Sequence, residues 1–200
     1  FGHAGERALN GVCPYGFDHS EQSVRTVDIL EKSGQGMNLT MEVRDGIRNH
    51  QTKGNPSTLE GKIVRLSDKI AYIHHDMDDA IRGGILDYFI HDIITTSTGV
   101  DDIRMSEPVG EAMMKMRQFM FERVYTNKEA KSEETKAERL VVTLYDYFLR
   151  HMEKLPDEYK RLINVGEPLE KVVCDYIASM TDRYAIALYE ELYIPKSWNR

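Results

Sequence analysis

The strongest pattern of hydrophobic positions in the chain lies between Ser57 and Gly84. Apolar residues there recur at intervals of four and three positions, namely Leu59, Ile63, Leu66, Ile70, Ile73, Met77 and Ala80. This spacing predicts a single amphipathic helix with one continuous buried stripe. Ser57 and Glu60 have the spacing of a capping box, and Gly83-Gly84 is predicted to end the helix.

A second, polar stripe lies beside the apolar one on the same predicted helix. Its members fall within one arc of about 100°, and they are Arg65, Asp68, Lys69, Tyr72, Asp76 and Asp79. Short carboxylates can hold a metal ion or sugar hydroxyls, a lysine can bind a phosphate, and a tyrosine can pack on a sugar ring. A solvated, charged helix face is the plainer interpretation, and the pattern alone favours it.

Helical spacing also dominates the rest of the chain. Further helices are predicted over residues 20–32, 41–49, 85–96, 109–125, 138–154 and 157–163, with one or two more over 169–192. The helix over 109–125 is rich in methionine and phenylalanine, and a core position is a safer interpretation than a subunit interface. No alternation typical of strands is present, so the sequence predicts an all-α fold of about eight helices in one domain, residues 1–200.

Charge and composition weigh against several classes of function. The 200 residues carry a net charge of −7 and no block of basic residues, so nucleic acid is not favoured as the main partner. No apolar run approaches the roughly 18 residues of a membrane span, so no membrane partner is expected. Cys13 and Cys174 lack the spacing of a metal site and are too few for a disulfide scaffold, which indicates a cytoplasmic protein.

Histidine and carboxylate residues near the start of the chain are candidates for catalysis. His3 and Glu6 are three positions apart and would share a face of a helix, where such a pair can move a proton or orient water. A surface turn with an isolated histidine is the alternative. His19 is predicted at the start of a helix, which is a suitable place for an anion, and a capping histidine is the alternative there.

Two histidine-aspartate dipeptides look like metal ligands. They are His75-Asp76 on the predicted central helix and His91-Asp92 on the helix that follows. Neither has a second set of ligands at a suitable spacing, so we interpret both as coincidental.

Five segments together resemble one known protein family. They are Phe1-Gly2-His3-Ala4-Gly5-Glu6 and residues 17–25, 38–47, 59–72 and 180–185. The second reads F-x-H-x-x-Q-S-x-R and the last M-T-D-R-Y-A. Similar segments occur, in this order and at similar spacing, in the bacterial dGTPase-like proteins, which are HD-domain phosphohydrolases. The resemblance implies an HD-domain-like helical fold and the hydrolysis of deoxynucleoside triphosphates, dGTP above all, to deoxynucleoside and inorganic triphosphate.

The resemblance implies roles for residues of the polar stripe. Asp68 matches the last aspartate of the family's metal set, which implies a divalent metal ion such as Mg²⁺ or Mn²⁺ as cofactor. Lys69 matches a residue that contacts phosphate. Tyr72 and Asp76 match residues that hold the deoxyribose, Tyr72 by stacking and Asp76 by accepting a hydrogen bond from the 3′-hydroxyl.

Further site residues are implied by the same resemblance. His3 and Glu6 match a catalytic pair near the α-phosphate, and His19 matches another histidine of that pocket. Arg183 and Tyr184 match residues that reach the nucleotide. A homo-oligomer is implied as well. Two alternatives stay open: a different phosphohydrolase of the HD superfamily, and a non-catalytic nucleotide-binding helical protein.

The family's first metal histidine and its histidine-aspartate dipeptide precede the segment that Phe1 to Glu6 matches. We therefore expect the chain to be truncated at its N-terminus, with Asp68 as its contribution to the metal set. The polypeptide of residues 1–200 should then bind metal poorly and be inactive by itself. Release of triphosphate from dGTP in the presence of Mn²⁺ measures this, and robust turnover would contradict the expectation.

Overall fold

The computed structural model describes residues 1–75, 79–123 and 128–196, and within these ranges it contains helices and turns but no strand. The predicted all-α class is therefore confirmed. The helices are α1 (Gly2–Val12), α2 (His19–Arg25), α3 (Glu31–Gly34), α4 (Met41–Arg48), α5 (Leu59–His75), α6 (Asp79–Ser97), α7 (Glu107–Arg123), α8 (Lys128–Arg150), α9 (Asp157–Asn164), α10 (Leu169–Ala178) and α11 (Asp182–Tyr193). Each of these described helices is too short or too polar to cross a bilayer.

The helix predicted over residues 20–32 is not regular along its whole length. Helix α2 is followed by a π-helical turn, Thr26–Leu30. Lys32 and Ser33 then adopt φ angles of 52° and 57°, which lie in the left-handed region. A right-handed helix requires negative φ angles, so the helical path is interrupted at these two residues, within the span of α3.

The chain divides into two compact units, each built from more than one stretch of sequence. The first unit contains Phe1–Gln22, Ile29–Gly36 and Lys128–Arg200. The second contains Ser23–Asp28 and Met37–Asn127. The single domain over residues 1–200 stays a prediction.

Helix α10 lies at the centre of the first unit. Its residues from Val172 to Ile177 are all buried, so the helix is covered on every side. Helices α8 and α9 pack against α10, and α1 packs along α8. Leu144 of α8 and Leu155 are also almost completely buried. Burial of this apolar surface, at roughly 25 cal/mol per Å², is the main stabilising contribution in the unit.

The second unit has a smaller core that α5, α6 and α7 share. Its buried members are Ile70, Ile73, Phe89, Val109 and Met113. The helix predicted over 109–125 as core belongs to it only in part, because Met114 and Phe119 are exposed on α7 while Met113 is buried. An abundance of methionine therefore did not show which face of this helix is covered.

The apolar stripe of the predicted central helix is buried over only part of its length. Ile73 is 3% exposed, as the pattern predicts, whereas Ile63 is 48% exposed and Leu59 is exposed as well. The prediction of one continuous buried stripe is wrong for the first turns of α5. There α5 approaches α4 through glycines, since a Cβ added at Gly61 would lie 3.4 Å from the Cα of Gly46.

The cap of α5 also differs from the prediction. The hydroxyl of Thr58 accepts a hydrogen bond from the amide of Gly61 at 3.1 Å, so Thr58 is the N-cap. The amide and the hydroxyl of Ser57 instead donate to Oδ2 of Asp45 on α4, at 2.7 and 2.8 Å. Ser57 is therefore bonded to Asp45 instead of capping α5, and the predicted capping box of Ser57 and Glu60 is wrong.

The end predicted for the central helix is wrong as well. Helix α5 is described as far as His75 and α6 runs from Asp79 to Ser97, so Gly83-Gly84 lies inside a helix. A glycine in a helix costs about 1 kcal/mol relative to alanine, and α6 continues past the pair to Phe89, which is buried in the core. The side chains of Met77 and Ala80, two members of the apolar stripe, lie outside the described part of the chain.

The cap of α5 can be tested with two neighbouring substitutions. Thr58→Ala should lower the free energy of unfolding by about 1 kcal/mol, because it removes the acceptor for the first turn of the helix. Ser57→Ala is the matched control and should cost less, since the backbone amide of residue 57 still binds Asp45. Urea denaturation measures both, and a larger loss for Ser57→Ala would favour the capping box.

Candidate functional site

Glu6 and His19 form a well-defined polar pair in the first unit. Glu6 lies on α1, and its Oε1 accepts hydrogen bonds from the backbone amide of His19 at 2.9 Å and from the ring Nδ1 of His19 at 2.8 Å. Because an ionised carboxylate only accepts hydrogen bonds, Nδ1 carries the proton in this pair. The same carboxylate therefore sets both the start of α2 and the orientation of the imidazole.

His3 lies beside this pair. Its ring meets that of His19 edge to face, with the ring centroids 6.2 Å apart. His3 and Glu6 both lie on α1, as the sequence predicts, and Glu6 accepts hydrogen bonds from His19. The structure thus brings together the three residues implied as catalytic, with Glu6 orienting His19.

The start of α2 is already bound by carboxylates. Oδ1 of Asp18 accepts hydrogen bonds from the amides of Ser20 (2.9 Å) and Glu21 (3.3 Å) and from the hydroxyl of Ser20. The amide of His19 donates to Glu6. Both sequence interpretations of His19 are corrected by these contacts: the amides that would bind an anion already have carboxylate partners, and the capping residue is Asp18.

Lys69 and Asp68 lie on α5 in the second unit. Asp68 is exposed and Lys69 is half-buried. Burial lowers the pKa of Lys69 from its ordinary value, the guanidinium groups of Arg65 and Arg117 lower it further, and Asp68 acts in the opposite sense with the smallest effect. Arg117 lies on α7 and is exposed. Because the sequence of this helix was interpreted as core, Arg117 was not among the predicted site residues.

Arg65 is fixed by neutral partners. Its Nε donates to the backbone carbonyl of Gln51 at 3.2 Å, and one terminal nitrogen donates to that of Thr52 at 2.7 Å. Carbonyl oxygens orient a guanidinium group without neutralising its charge. The second unit therefore contains a cationic group of Arg65, Lys69 and Arg117, which is suited to an anion.

The two residues implied for sugar binding are not fully described. Asp76 falls between the described ranges that end at 75 and begin at 79. The backbone of Tyr72 belongs to α5, but its side chain is outside the described part. The roles of both residues, and the interpretation of His75-Asp76, stay predictions.

Asp92 of the other histidine-aspartate dipeptide supports a loop. Its carboxylate accepts hydrogen bonds from the amide of Ser106 at 2.9 Å and from the hydroxyl of Ser106 at 2.6 Å. Ser106 directly precedes α7. Asp92 therefore ties α6 to the start of α7, which is a structural role.

Arg183 and Tyr184 lie in the first turn of α11. Thr181 caps this helix by accepting a hydrogen bond from the amide of Tyr184 at 3.2 Å. Tyr184 is 49% exposed, and its hydroxyl lies 3.1 Å from that of Tyr176 on α10. Arg183 is exposed. The threonine of the M-T-D-R-Y-A segment thus has a structural explanation, and contact of Arg183 and Tyr184 with a nucleotide stays a prediction.

Metal binding was predicted through Asp68. Across the described ranges, no group of three His, Cys, Asp or Glu side chains is arranged to hold a metal ion. A divalent ion such as Mg²⁺ takes about six oxygen ligands, of which water can supply several. Asp68 and the other described residues therefore do not form a metal site by themselves.

Comparisons with known proteins agree with the sequence segments. Residues 103–191 match the family model of the phosphohydrolase-associated domain. A deoxyguanosinetriphosphate triphosphohydrolase-like protein of Caldanaerobacter subterraneus subsp. tengcongensis is 46% identical over 99% of this chain and 64% of its own length. Proteins of the same name from Clostridium perfringens strain 13 and Geobacter metallireducens are 37% and 30% identical, each over 98% of this chain and over 66% and 70% of their own lengths.

The chain spans 64% and 66% of the length of the first two of these relatives, so similarity covers nearly all of this chain but not all of theirs. The resemblance stated from the five sequence segments is confirmed by identities of this size over the full chain. The chain belongs to the family of deoxyguanosinetriphosphate triphosphohydrolase-like proteins.

Proposed function

We propose that the protein is a triphosphohydrolase that converts deoxynucleoside triphosphates, with dGTP as the main substrate, to deoxynucleoside and inorganic triphosphate. The observation that carries the proposal is the pair of hydrogen bonds from His19 to Glu6. An imidazole held by a carboxylate at one ring nitrogen is a suitable acid or base at the other. The name shared by the relatives supports the choice of reaction.

The proposed role of His19 follows from its orientation. With Nδ1 donating to Glu6, Nε2 is the nitrogen through which the ring gives or takes a proton at the substrate. Glu6 holds the ring in this tautomer and stabilises the imidazolium when Nε2 is protonated. His3, edge to face with His19, is proposed to contact the same phosphate. This assignment moves the acid–base role from the pair His3–Glu6 to the pair His19–Glu6.

The cationic group on α5 and α7 supports a triphosphate as the ligand. Arg65 and Arg117 disfavour the charged form of Lys69, so an anion that binds there relieves repulsion among the three cations. A triphosphate carries several negative charges, which suits a group of three cationic side chains. We propose Arg117 as a phosphate contact in addition to Lys69.

A divalent metal ion is proposed as cofactor with Asp68 as one ligand. Such an ion would neutralise charge on the phosphates and activate a water molecule. Tyr72 and Asp76 are proposed to bind the deoxyribose, and Arg183 and Tyr184 to reach the nucleotide. The other proposed roles belong to protein side chains: Glu6 orients the acid, and Lys69 and Arg117 bind the phosphates.

The products distinguish this reaction from those of other phosphohydrolases. Full-length protein incubated with dGTP and Mn²⁺ should release deoxyguanosine and intact triphosphate in equal amounts, because water attacks the α-phosphorus. Ion chromatography of the products measures this. Pyrophosphate or orthophosphate as the first product would indicate a different phosphohydrolase, and binding of dGTP without any product would indicate a nucleotide-binding protein.

The role of Glu6 can be tested by removing its charge. Glu6→Gln should lower kcat by about 10²-fold to 10⁴-fold, because glutamine no longer stabilises the imidazolium of His19. Steady-state kinetics at saturating dGTP measures the effect. Arg7→Ala is the matched control on the same helix: Arg7 binds Glu134 and Glu138 of α8, so its loss should leave kcat nearly unchanged. Equal losses in both variants would contradict the role.

A further inference from the structure

Helix α2 carries His19 but has little apolar surface of its own. It spans seven residues, His19–Arg25, and Val24 is the apolar one among them. A helix of this length is not stable in isolation, so its position depends on contacts with the rest of the protein. The direction of the His19 ring depends on those contacts in turn.

Two polar side chains are buried among the described residues, and both are connected with α2. Ser20, 7% exposed, lies on α2 next to His19, and Asp175, 1% exposed, lies on α10. Nε2 of Gln22 on α2 donates a hydrogen bond to Oδ1 of Asp175 at 2.9 Å. A buried carboxylate of the core helix is thus bonded to the helix that carries the proposed acid.

Asp175 occupies an unfavourable place for a carboxylate. It is 1% exposed, and Cys174 and Tyr176 on either side of it in the helix are buried as well, so its carboxylate is shielded from water. A charge in such surroundings is strongly destabilising unless hydrogen bonds compensate for the lost water. An apolar residue would serve packing better at this position, so the carboxylate is expected to have a task that packing does not provide.

We propose that Asp175 is a positioning residue for His19 and acts through Gln22. Gln22 lies about one turn after His19 on α2, so anchoring Gln22 to the rigid core helix fixes the rotation of α2. That rotation points Nδ1 of His19 at Glu6 and Nε2 at the substrate. The consequence of this positioning for catalysis rests on the proposed function, whereas its effect on the orientation of the His19 ring does not.

The test reads the tautomer of His19 directly. In ¹⁵N NMR spectra of the full-length protein without substrate, the neutral ring should carry its proton mainly on Nδ1, as the bond to Glu6 requires. Gln22→Leu keeps the size of the side chain and removes the donor, and it should raise the fraction protonated on Nε2. Asp175→Leu removes the acceptor and should shift the tautomer in the same direction, and the double variant should add little to either single change.

Val173→Ala is the matched control. It removes fully buried apolar atoms from the same helix, two residues from Asp175, and should destabilise the protein without changing the tautomer of His19. An unchanged tautomer in Gln22→Leu, or an equal shift in Val173→Ala, would overturn the proposal. Gln22→Leu leaves the core carboxylate in place, so the test does not depend on whether Asp175→Leu folds.

Turnover provides a separate readout. Gln22→Leu should lower kcat roughly tenfold or more while KM for dGTP changes little, because misplacing the acid affects the transition state more than binding. If the wild-type protein releases no triphosphate, the proposed function fails, and the spectra still decide whether Asp175 positions His19. If triphosphate is released and Gln22→Leu has wild-type kcat and spectra, the positioning role alone fails.

Discussion

Burial of α10 is the constraint on which the first unit depends. A helix that is apolar around nearly its whole surface has to be covered on all sides, and α8 and α9 supply that cover directly. Helix α1 packs along α8, so the helix that carries Glu6 is held by the same arrangement. The carboxylate of Glu6, and through its hydrogen bonds the ring of His19, are thereby attached to the core of the first unit. Precise placement of an imidazole requires such rigid support.

The second unit combines a small apolar core with polar contacts between its helices. Its apolar core is small, and Ile63 and Leu59 on α5 stay exposed. The loop from α4 to α5 is fixed instead by Asp45, which accepts hydrogen bonds from Ser57 and from Asn49. These bonds, the backbone amide of Ser57 first among them, hold the pKa of Asp45 below its usual value. As pH falls toward that lowered pKa, protonation of Asp45 weakens the loop, and at higher pH its contribution is fully present.

The sequence allowed the helical class to be predicted because apolar spacing reports directly which residues share a helix face. It did not show how far a partner helix extends, and the first turns of α5 keep Leu59 and Ile63 exposed although α4 approaches the same turns at Gly61. The cap at Thr58 was missed because Asp45, twelve positions before Ser57, binds that serine. His3, Glu6 and His19 were singled out by residue type and spacing, and the family resemblance implies their catalytic role. Asp175 was not found, because an isolated carboxylate in an apolar run gives no sign of its partner.

The contact of Glu6 with His19 also limits how this protein can evolve. One oxygen atom receives both the amide that begins α2 and the ring that is proposed to do chemistry. Aspartate is too short to reach both donors from the same place, and an apolar residue loses both bonds. At position 19, by contrast, the backbone amide is present whatever the side chain. A lineage that abandons catalysis while keeping its fold therefore has a wider choice of substitutions at residue 19 than at residue 6.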